Sequence, residues 1–227
     1  MTGSRDAFLH RVRQAVAGGN RPGGAPPLPE RGTVGYQGSG PDPVARFRDE
    51  LTAAGGVLHV VPNNEAAVAK VIELVKAKAT RRALLGRGPF IDPLGLADRL
   101  RSVGVDAVCV DSLTPEISRD PFFAADIGIS GVDFLVAETG SVVVQSRLGE
   151  PRSLSLLPPV HIAVADRSQL VADLFDLFVK KKGEEHAELP SCLSIITGPS
   201  KTGDIELRLV TGVHGPGEIY VVLLDAG

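Results

Sequence analysis

The stretch that decides the fold spans residues 57–110 and reads VLHVVPNNEAAVAKVIELVKAKATRRALLGRGPFIDPLGLADRLRSVGVDAVCV. Short apolar runs at 57–61, 82–85 and 107–110 have the length of buried strands. Between them, one segment after Pro62 repeats apolar residues at helical spacing, and another opens with a helix-start signal at Asp92-Pro93. This β-α-β-α-β order predicts a parallel sheet with right-handed crossover connections.

The N-terminal side is predicted to hold two helices joined by an irregular arm. Residues 4–17 repeat apolar positions at helical spacing behind Ser4, a residue that can cap a helix. Residues 18–42 are rich in Gly and Pro, which is typical of an arm, and we expect it to help protomers associate. A helix is then expected from Asp42-Pro43 to Gly55. The predicted organisation is therefore a helix and arm over 1–42 and a single α/β domain over 43–227.

The C-terminal half shows a different pattern of predicted secondary structure. Strand-like runs at 126–130, 133–137, 142–146 and 153–157 are separated by short turns, several with Gly, which favours hairpins and a mixed sheet. A further strand is expected at 160–164, followed by a helix capped by Asp166 or Ser168. The predicted fold is α/β, a three-layer open sheet that is mostly parallel in its N-terminal half and mixed or antiparallel in its C-terminal half.

Composition excludes several classes of protein. Lys and Arg number 24 against 27 Asp and Glu, a net charge of −3, so the basic stripe of a nucleic-acid-binding surface is not expected. No apolar run approaches the roughly 18 residues that span a bilayer, and no secretory signal is evident, so we expect a cytoplasmic protein without a membrane span. The two cysteines, Cys109 and Cys192, both lie in apolar runs and are predicted to be small buried strand residues. They are too few for a four-thiolate zinc or Fe–S site within one chain.

Standard cofactor fingerprints are also missing. No G-x-G-x-x-G motif joins a strand to a helix, so Rossmann-type NAD binding is not predicted. Gly198 and Gly203 have the spacing of a Walker A loop, but Asp204 stands where lysine is required and would repel phosphate. We therefore predict neither a cofactor nor a bound metal.

Three polar turns are the candidate site. The first is Glu138-Thr139-Gly140-Ser141, where hydroxyl and backbone donors could bind an anion beside Glu138 as an acid or base. It is equally consistent with a plain hairpin turn whose hydroxyls bond the local backbone.

The second and third turns flank an apolar run near the C-terminus. Candidate ligand contacts in the second turn are Thr197, Gly198, Ser200, Lys201, Thr202 and Asp204. His214 in the third turn is a candidate general base, because imidazole titrates near neutral pH. The structural alternatives are that Lys201 is a solvated turn lysine and that His214 is an ordinary loop residue. If the three turns form one site, they must converge at one edge of the sheet.

Three runs resemble the lactate-utilization protein C family, the single-domain members of the LUD domain group: DIGISGVDFLVAETGSVVV, RSLSLLPPVHIAVA and TGPSKTGDIELRLVTGVHGPGEIYVVLL. The resemblance covers roughly residues 43–227. It implies a fold shared with sugar-phosphate isomerases and coenzyme A transferases. It also implies a role in oxidising L-lactate to pyruvate beside two partner proteins that carry Fe–S clusters. The resemblance supplies no catalytic residues, and it leaves open whether the chain is itself an enzyme.

Two functions follow from these expectations. The first is a non-redox, accessory component of an L-lactate utilization system. The second is a free-standing enzyme or binding protein for a phosphosugar, a coenzyme A ester or another small anionic metabolite, which rests on fold analogy alone.

Overall fold

The computed structural model describes residues 5–19, 38–112, 120–182, 190–203 and 210–225. The chain divides into two compact units, residues 1–36 and residues 37–227. The described part of the first unit is helix α1 (Arg5–Gly19), close to the predicted 4–17. Ser4 and most of the predicted arm lie outside the described residues, so those predictions stay untested.

The second unit alternates helices and strands along its whole length. The helices are α2 (Pro43–Ala54), α3 (Asn64–Ala77), α4 (Leu96–Ser102), α5 (Asp120–Phe123), α6 (Ser153–Leu156) and α7 (Leu174–Lys182). The strands are β1 (Val57–Val61), β2 (Arg82–Leu85), β3 (Asp106–Cys109), β4 (Ile127–Ser130), β5 (Phe134–Val136), β6 (Ser141–Gln145), β7 (Val160–Asp166), β8 (Leu170–Val171), β9 (Leu193–Ile196), β10 (Lys201–Thr202), β11 (Val210–Thr211) and β12 (Glu218–Leu224).

Six of these strands form one sheet in the order β1-β12-β7-β4-β2-β3, and every neighbouring pair is parallel. The α/β class and the parallel pairing predicted for the N-terminal half are therefore confirmed. Strand β12 lies between β1 and β7, with Val57 opposite Tyr220 and Ile219 opposite His161. The C-terminal end of the chain thus contributes an inner strand of the parallel sheet.

The antiparallel pairing predicted for the C-terminal half occurs in a separate, mixed sheet. Its order is β8-β5-β6-β9, with β5–β6 and β6–β9 antiparallel and β5–β8 parallel. Strands β10 and β11 form a further two-stranded ribbon. The sequence pattern indicates the hairpins but does not show that they leave the main sheet.

Aliphatic cores cover both faces of the parallel sheet. On one face α3 and α4 pack through residues such as Val71, Val75 and Leu100 against Ile127, Ile162 and Val222. On the other face, α2 and the four-stranded sheet bury Phe47, Leu51 and Val142 against Val221 and Leu223. Helix α7 covers the outer face of the four-stranded sheet through Leu177. Burial of this much apolar surface is the dominant stabilising contribution to the fold.

Two predicted elements were wrong. Residues 153–157 were expected to be a strand, but 153–156 form helix α6, because Leu154 packs over β4 at Gly128, where a Cβ would lie 2.1 Å from the Leu154 carbonyl oxygen. The helix expected directly after Asp166 is also displaced. Asp166 caps a three-residue 3-10 helix, strand β8 then pairs with β5, and α7 begins only at Leu174.

The smaller predictions are mixed in outcome. Asp42 caps α2 by accepting hydrogen bonds of 3.0 Å from the N–H groups of Val44 and Ala45, and Gly55 ends the helix at φ 96°. Cys109 is a buried strand residue as expected. Cys192 is only half-buried and precedes β9. Among the described helices, none is long and apolar enough to cross a membrane.

Candidate functional site

The three polar turns lie beside one another. The hydroxyl of Ser141 lies 2.7 Å from that of Thr139 and 2.7 Å from that of Thr197, which joins the first turn to the second. The backbone N–H of Ser200 donates to the Pro216 carbonyl at 2.8 Å, which joins the second turn to the third. The structure therefore brings the turns together, as a shared site would require.

The first two turns are packed against the C-terminal half of α2. Gly140 has φ 64°, and a Cβ there would lie 2.2 Å from the Leu51 nitrogen. At Gly198, with φ 73°, a Cβ would lie 2.5 Å from the Ala54 carbonyl oxygen. Lys201 donates from Nζ to the same Ala54 oxygen at 2.6 Å, where a cation also suits the negative end of the helix dipole. These contacts support the structural interpretation of both turns.

The remaining predicted residues are placed as follows. Glu138 follows β5, and its backbone N–H donates to the Ala172 carbonyl at 3.0 Å. Thr202 is half-buried in β10, and Asp204 lies outside the described residues.

The second and third turns enclose a cavity of ≈190 Å³, which we call the C-terminal-turn cavity. It is bounded by residues 198–200, 214–216 and 195–196, with Ser155, Leu156, Ile219 and His161 completing the wall. His214 is exposed at its rim, whereas His161 on β7 is fully buried. Two predicted residues with polar side chains, Ser200 and His214, therefore share one cavity.

His161 was not predicted to belong to this site. Its Nε2 lies 2.8 Å from the buried hydroxyl of Ser130, and among the described residues its Nδ1 has no hydrogen-bond partner. Burial away from water lowers the pKa of His161 to about 4, so the imidazole is neutral at physiological pH. A neutral, unpartnered ring nitrogen can accept or donate one hydrogen bond, depending on the tautomer.

The C-terminal-turn cavity lies at the amino end of the parallel sheet. Gly217, just before β12, donates its N–H to the carbonyl of Pro159, just before β7, at 2.9 Å. In open α/β sheets, ligands bind outside the carboxyl ends of the strands, where successive connections leave for opposite faces. The C-terminal-turn cavity is therefore at the opposite end of the sheet from the position where such ligands bind.

Strands β2 and β4 form this switch point. They are neighbours in the sheet, but the chain leaves β2 for α4 on one face and leaves β4 for the four-stranded sheet on the other. The N–H of Gly86, directly after β2, donates to the Ile129 carbonyl of β4 at 2.8 Å. The two strand ends are thus held together at the point where their connections diverge.

A small cavity of ≈120 Å³ opens at these strand ends, and we call it the switch-point cavity. Its wall is formed by residues 87–91 after β2, residues 131–133 after β4, and Arg147, Glu150 and Gln169. Clefts for drug-sized ligands measure roughly 300–1,000 Å³, so this cavity suits a molecule of only a few heavy atoms.

Glu150 is the most unusual residue of the switch-point cavity. Its side chain is 5% exposed, and its Oε1 accepts a hydrogen bond of 2.9 Å from the Gly131 N–H. Gly86 leaves the space it needs, because a Cβ there would lie 2.3 Å from Oε1. Burial raises the pKa of Glu150 from its ordinary value of 4.5 to about 8, against the opposing effects of the Gly131 N–H and the Arg147 charge. Such a carboxyl group is protonated at neutral pH and can act as a hydrogen-bond donor.

Two arginines line the same cavity. Arg147 pairs with Asp133, and Arg87 donates from Nε to Asp111 at 3.0 Å. Arg87 also lies 3.6 Å from Asp92, measured from Nη1 to Oδ1. Each guanidinium carries five N–H donors, more than these carboxylate contacts use. Both guanidinium groups are therefore already paired with carboxylates, and what the cavity offers an anion is their remaining N–H donors.

Sequence reasoning missed the switch-point cavity. The usable signal was a glycine directly after each of two buried runs, Gly86 after β2 and Gly131 after β4. The residues that the structure describes include no group of three or more His, Cys, Asp and Glu side chains placed to hold a metal ion.

Fold and cavity together define an α/β protein with a small polar cavity, lined by two arginines and a buried glutamate, at the carboxyl end of a parallel sheet. The family model of the LUD domain matches residues 44–224, nearly the whole second unit. The chain therefore belongs to the LUD domain family.

Two relatives from different organisms carry the same name. The chain is similar to Lactate utilization protein C of Halalkalibacterium halodurans, 37% identical over 164 residues that cover 71% of this chain and 69% of that protein. It is also similar to Lactate utilization protein C of Geobacillus kaustophilus, 34% identical over 167 residues, which are 67% of this chain and 70% of that protein. A crystal structure of a DUF162 family protein from Deinococcus radiodurans matches with a TM-score of 0.55 at 20% identity, covering 81% of this chain and 96% of that one. This last likeness concerns the fold alone.

Proposed function

We propose that this protein is a non-redox component of a cytoplasmic system that uses L-lactate, oxidising it to pyruvate together with Fe–S partner proteins. The observation that carries the proposal is the similarity to proteins named Lactate utilization protein C at 37% and 34% identity over about two thirds of their length. The presence of only two cysteines supports the division of labour, since an Fe–S cluster needs more thiolates than this chain supplies.

Deletion of the gene tests the proposal in the cell. We expect the deleted strain to grow normally on glucose and to grow poorly on L-lactate as sole carbon source, in a host without another lactate dehydrogenase. A plasmid copy of the gene should restore growth. Undiminished growth of the deleted strain on L-lactate would refute the proposal.

Co-purification tests the partnership. Affinity-tagged protein isolated from cells grown on L-lactate is expected to bring down proteins that carry iron and acid-labile sulfide. The matched control is the same tag on an unrelated protein of similar size. An eluate without iron or sulfide above that control would contradict the Fe–S partnership.

The alternative of a free-standing protein for a small anionic metabolite is favoured by one observation, the switch-point cavity with the N–H donors of Arg87 and Arg147 in its wall. A thermal-shift screen separates the two functions, because a ligand at large excess over its Kd stabilises by a few kcal/mol. Stabilisation by phosphosugars or coenzyme A, with none by lactate, would favour the alternative. His214 and Ser200 in the C-terminal-turn cavity, and Glu138, remain predicted contacts for either function.

A further inference from the structure

The switch-point cavity combines three properties that point to one kind of ligand. It lies where open α/β sheets bind ligands, its volume is ≈120 Å³, and its wall carries two arginines beside a buried carboxyl group. A planar guanidinium matches the geometry of a carboxylate better than any other side chain does. The apolar part of the wall, which includes Phe90, Ile91 and Val132, suits a short alkyl group such as a methyl.

We propose that the switch-point cavity binds the carboxylate of a small 2-hydroxy or 2-oxo acid, with Arg87 and Arg147 supplying N–H donors and the buried Glu150 side chain as a further hydrogen-bond partner of the ligand. The choice of a 2-hydroxy or 2-oxo acid rests on the function proposed above. The cavity and the guanidinium groups in its wall are observed independently of that function.

The protonation of Glu150 decides whether an anion is accepted. The charged groups that act on Glu150 are Arg147 on its own turn, Asp133 after β4 and Asp92 after β2. Arg147 favours the ionised form, whereas burial and the two aspartates favour the neutral form. A bound carboxylate is a further negative charge at close range, so it holds the proton on Glu150 more firmly. Binding at a pH near 8 therefore takes up a proton from solvent.

The fold places Glu150 rigidly enough for this role. Residues 147 and 150 bond each other through backbone N–H and carbonyl groups at 3.0 and 3.1 Å, and the N–H of Arg87 donates to the Gly149 carbonyl at 2.8 Å. The turn that carries Glu150 is thereby tied to the loop after β2. Such preorganisation lowers the entropic cost of binding a small ligand.

Titration calorimetry on the full chain tests the proposal with L-lactate, pyruvate and propionate as probes, lactamide as the uncharged control and inorganic phosphate as the competing anion. We expect the carboxylates to bind at pH 6 and to lose up to about tenfold in affinity at pH 9, where about one molecule in ten keeps the proton on Glu150. We expect no binding of lactamide. Titrations near pH 8 in two buffers of different ionisation enthalpy should show uptake of up to one proton.

Three variants sharpen the test. Glu150→Gln keeps a donor of the same shape at every pH, so it should bind the acids at pH 6 within a few-fold of the wild type and lose the pH dependence. Arg147→Gln should weaken binding at least tenfold. Arg152→Gln, an exposed arginine outside the switch-point cavity, is the matched control and should change binding less than twofold.

Three results would overturn the proposal: no carboxylate binding by the wild type at pH 6, tighter binding of phosphate than of any carboxylate, or unchanged pH dependence in Glu150→Gln. Failure here is distinguishable from failure of the proposed function. Carboxylate binding by a protein whose gene is dispensable on L-lactate would leave this inference standing, and a growth defect without carboxylate binding would leave the function standing.

Discussion

Two glycines with nearly the same backbone conformation differ in what surrounds them. Gly140 and Gly95 have φ 64° and 56°, in the left-handed region that disfavours side chains. A Cβ at Gly140 would meet the backbone of α2, whereas a Cβ at Gly95 would have no atom within 4 Å. Comparing alanine variants at the two positions therefore separates two destabilising effects: the left-handed backbone conformation and the contact with the backbone of α2.

We expect Gly95→Ala to lower the free energy of unfolding by roughly 1–2 kcal/mol, the cost of a left-handed non-glycine residue. Gly140→Ala should cost about 1–3 kcal/mol more, because the methyl group forces α2 away from the turn. Urea denaturation of both variants measures the difference. Equal losses would show that α2 moves aside freely and that the turn does not hold it.

At the scale of single elements, α2 connects the candidate turns to the rest of the fold. Its N-terminus is capped by Asp42, and its C-terminal carbonyl at Ala54 accepts the Lys201 ammonium group. Sequence alone identified this helix and both of its ends, because capping chemistry is local. The contact with Lys201 could not be predicted, since 147 positions separate the two residues in the chain.

Lys201→Met tests the contact. Replacement keeps the apolar stem and removes the charge, so we expect a loss of about 0.3–1 kcal/mol in the free energy of unfolding, smaller at high salt. Lys76→Met is the matched comparison, because it removes a lysine from the last turn of another helix, α3. If Lys201 instead binds an anionic ligand, the variant will keep its stability and lose affinity for that ligand.

The wrong prediction of a strand at 153–157 also has a physical cause. The run Ser153-Leu154-Ser155-Leu156-Leu157 alternates like a strand, but five residues are too few to separate a period of two from a period of 3.6. Packing of Leu154 over Gly128 decided the outcome, and this tertiary contact is invisible in a local pattern. The parallel pairing of the β-α-β units was predicted correctly because the alternation of short apolar runs and helix stripes extends over more than fifty residues. The start of the second helix differs, since Asp92-Pro93 opens a 3-10 helix and α4 begins at Leu96.

The candidate site was only partly predictable. The three polar turns do converge, but the first two pack on α2, and the second and third enclose a cavity at the amino end of the parallel sheet. Glu150 was overlooked because its importance depends on the strand order, which places β4 beside β2 although β3 comes between them in the chain. Strand order is set by long-range packing that a single sequence does not show.

At the scale of the whole molecule, Glu150 and His161 set opposing dependences of stability on pH. Glu150 has a raised pKa, so its contribution is fully present below pH 4.5 and is lost as the pH rises towards 8. His161 has a lowered pKa, so its contribution is present above pH 6.5 and is lost as the pH falls towards 4. Between pH 4.5 and 6.5 the folded chain carries one proton on Glu150 and the unfolded chain one on His161, so the two effects cancel.

We therefore expect these two groups to contribute a plateau of stability between pH 4.5 and 6.5, with a decline of up to about 1.4 kcal/mol per pH unit towards pH 8. Glu150→Gln should remove that decline and leave only the pH dependence caused by His161. The stability of the variant should then fall as the pH is lowered from 6.5 towards 4. Urea denaturation at intervals of half a pH unit measures both curves. Glu65→Gln, at an exposed carboxylate on α3, is the matched control. Parallel curves for the wild type and Glu150→Gln would show that Glu150 is ionised in the folded protein.

The place of β12 in the parallel sheet has a consequence for the order of folding. In the part of the chain that the structure describes, β1 pairs with β12 alone, and β12 sends Val222 into one core and Val221 and Leu223 into the other. A nascent chain that has not yet exposed residues 218–224 therefore leaves β1 without a neighbour and both cores open. Contacts between such distant segments form slowly, because the connecting chain must first be closed into a large loop. We therefore expect both cores to be completed only after residues 218–224 have left the ribosome.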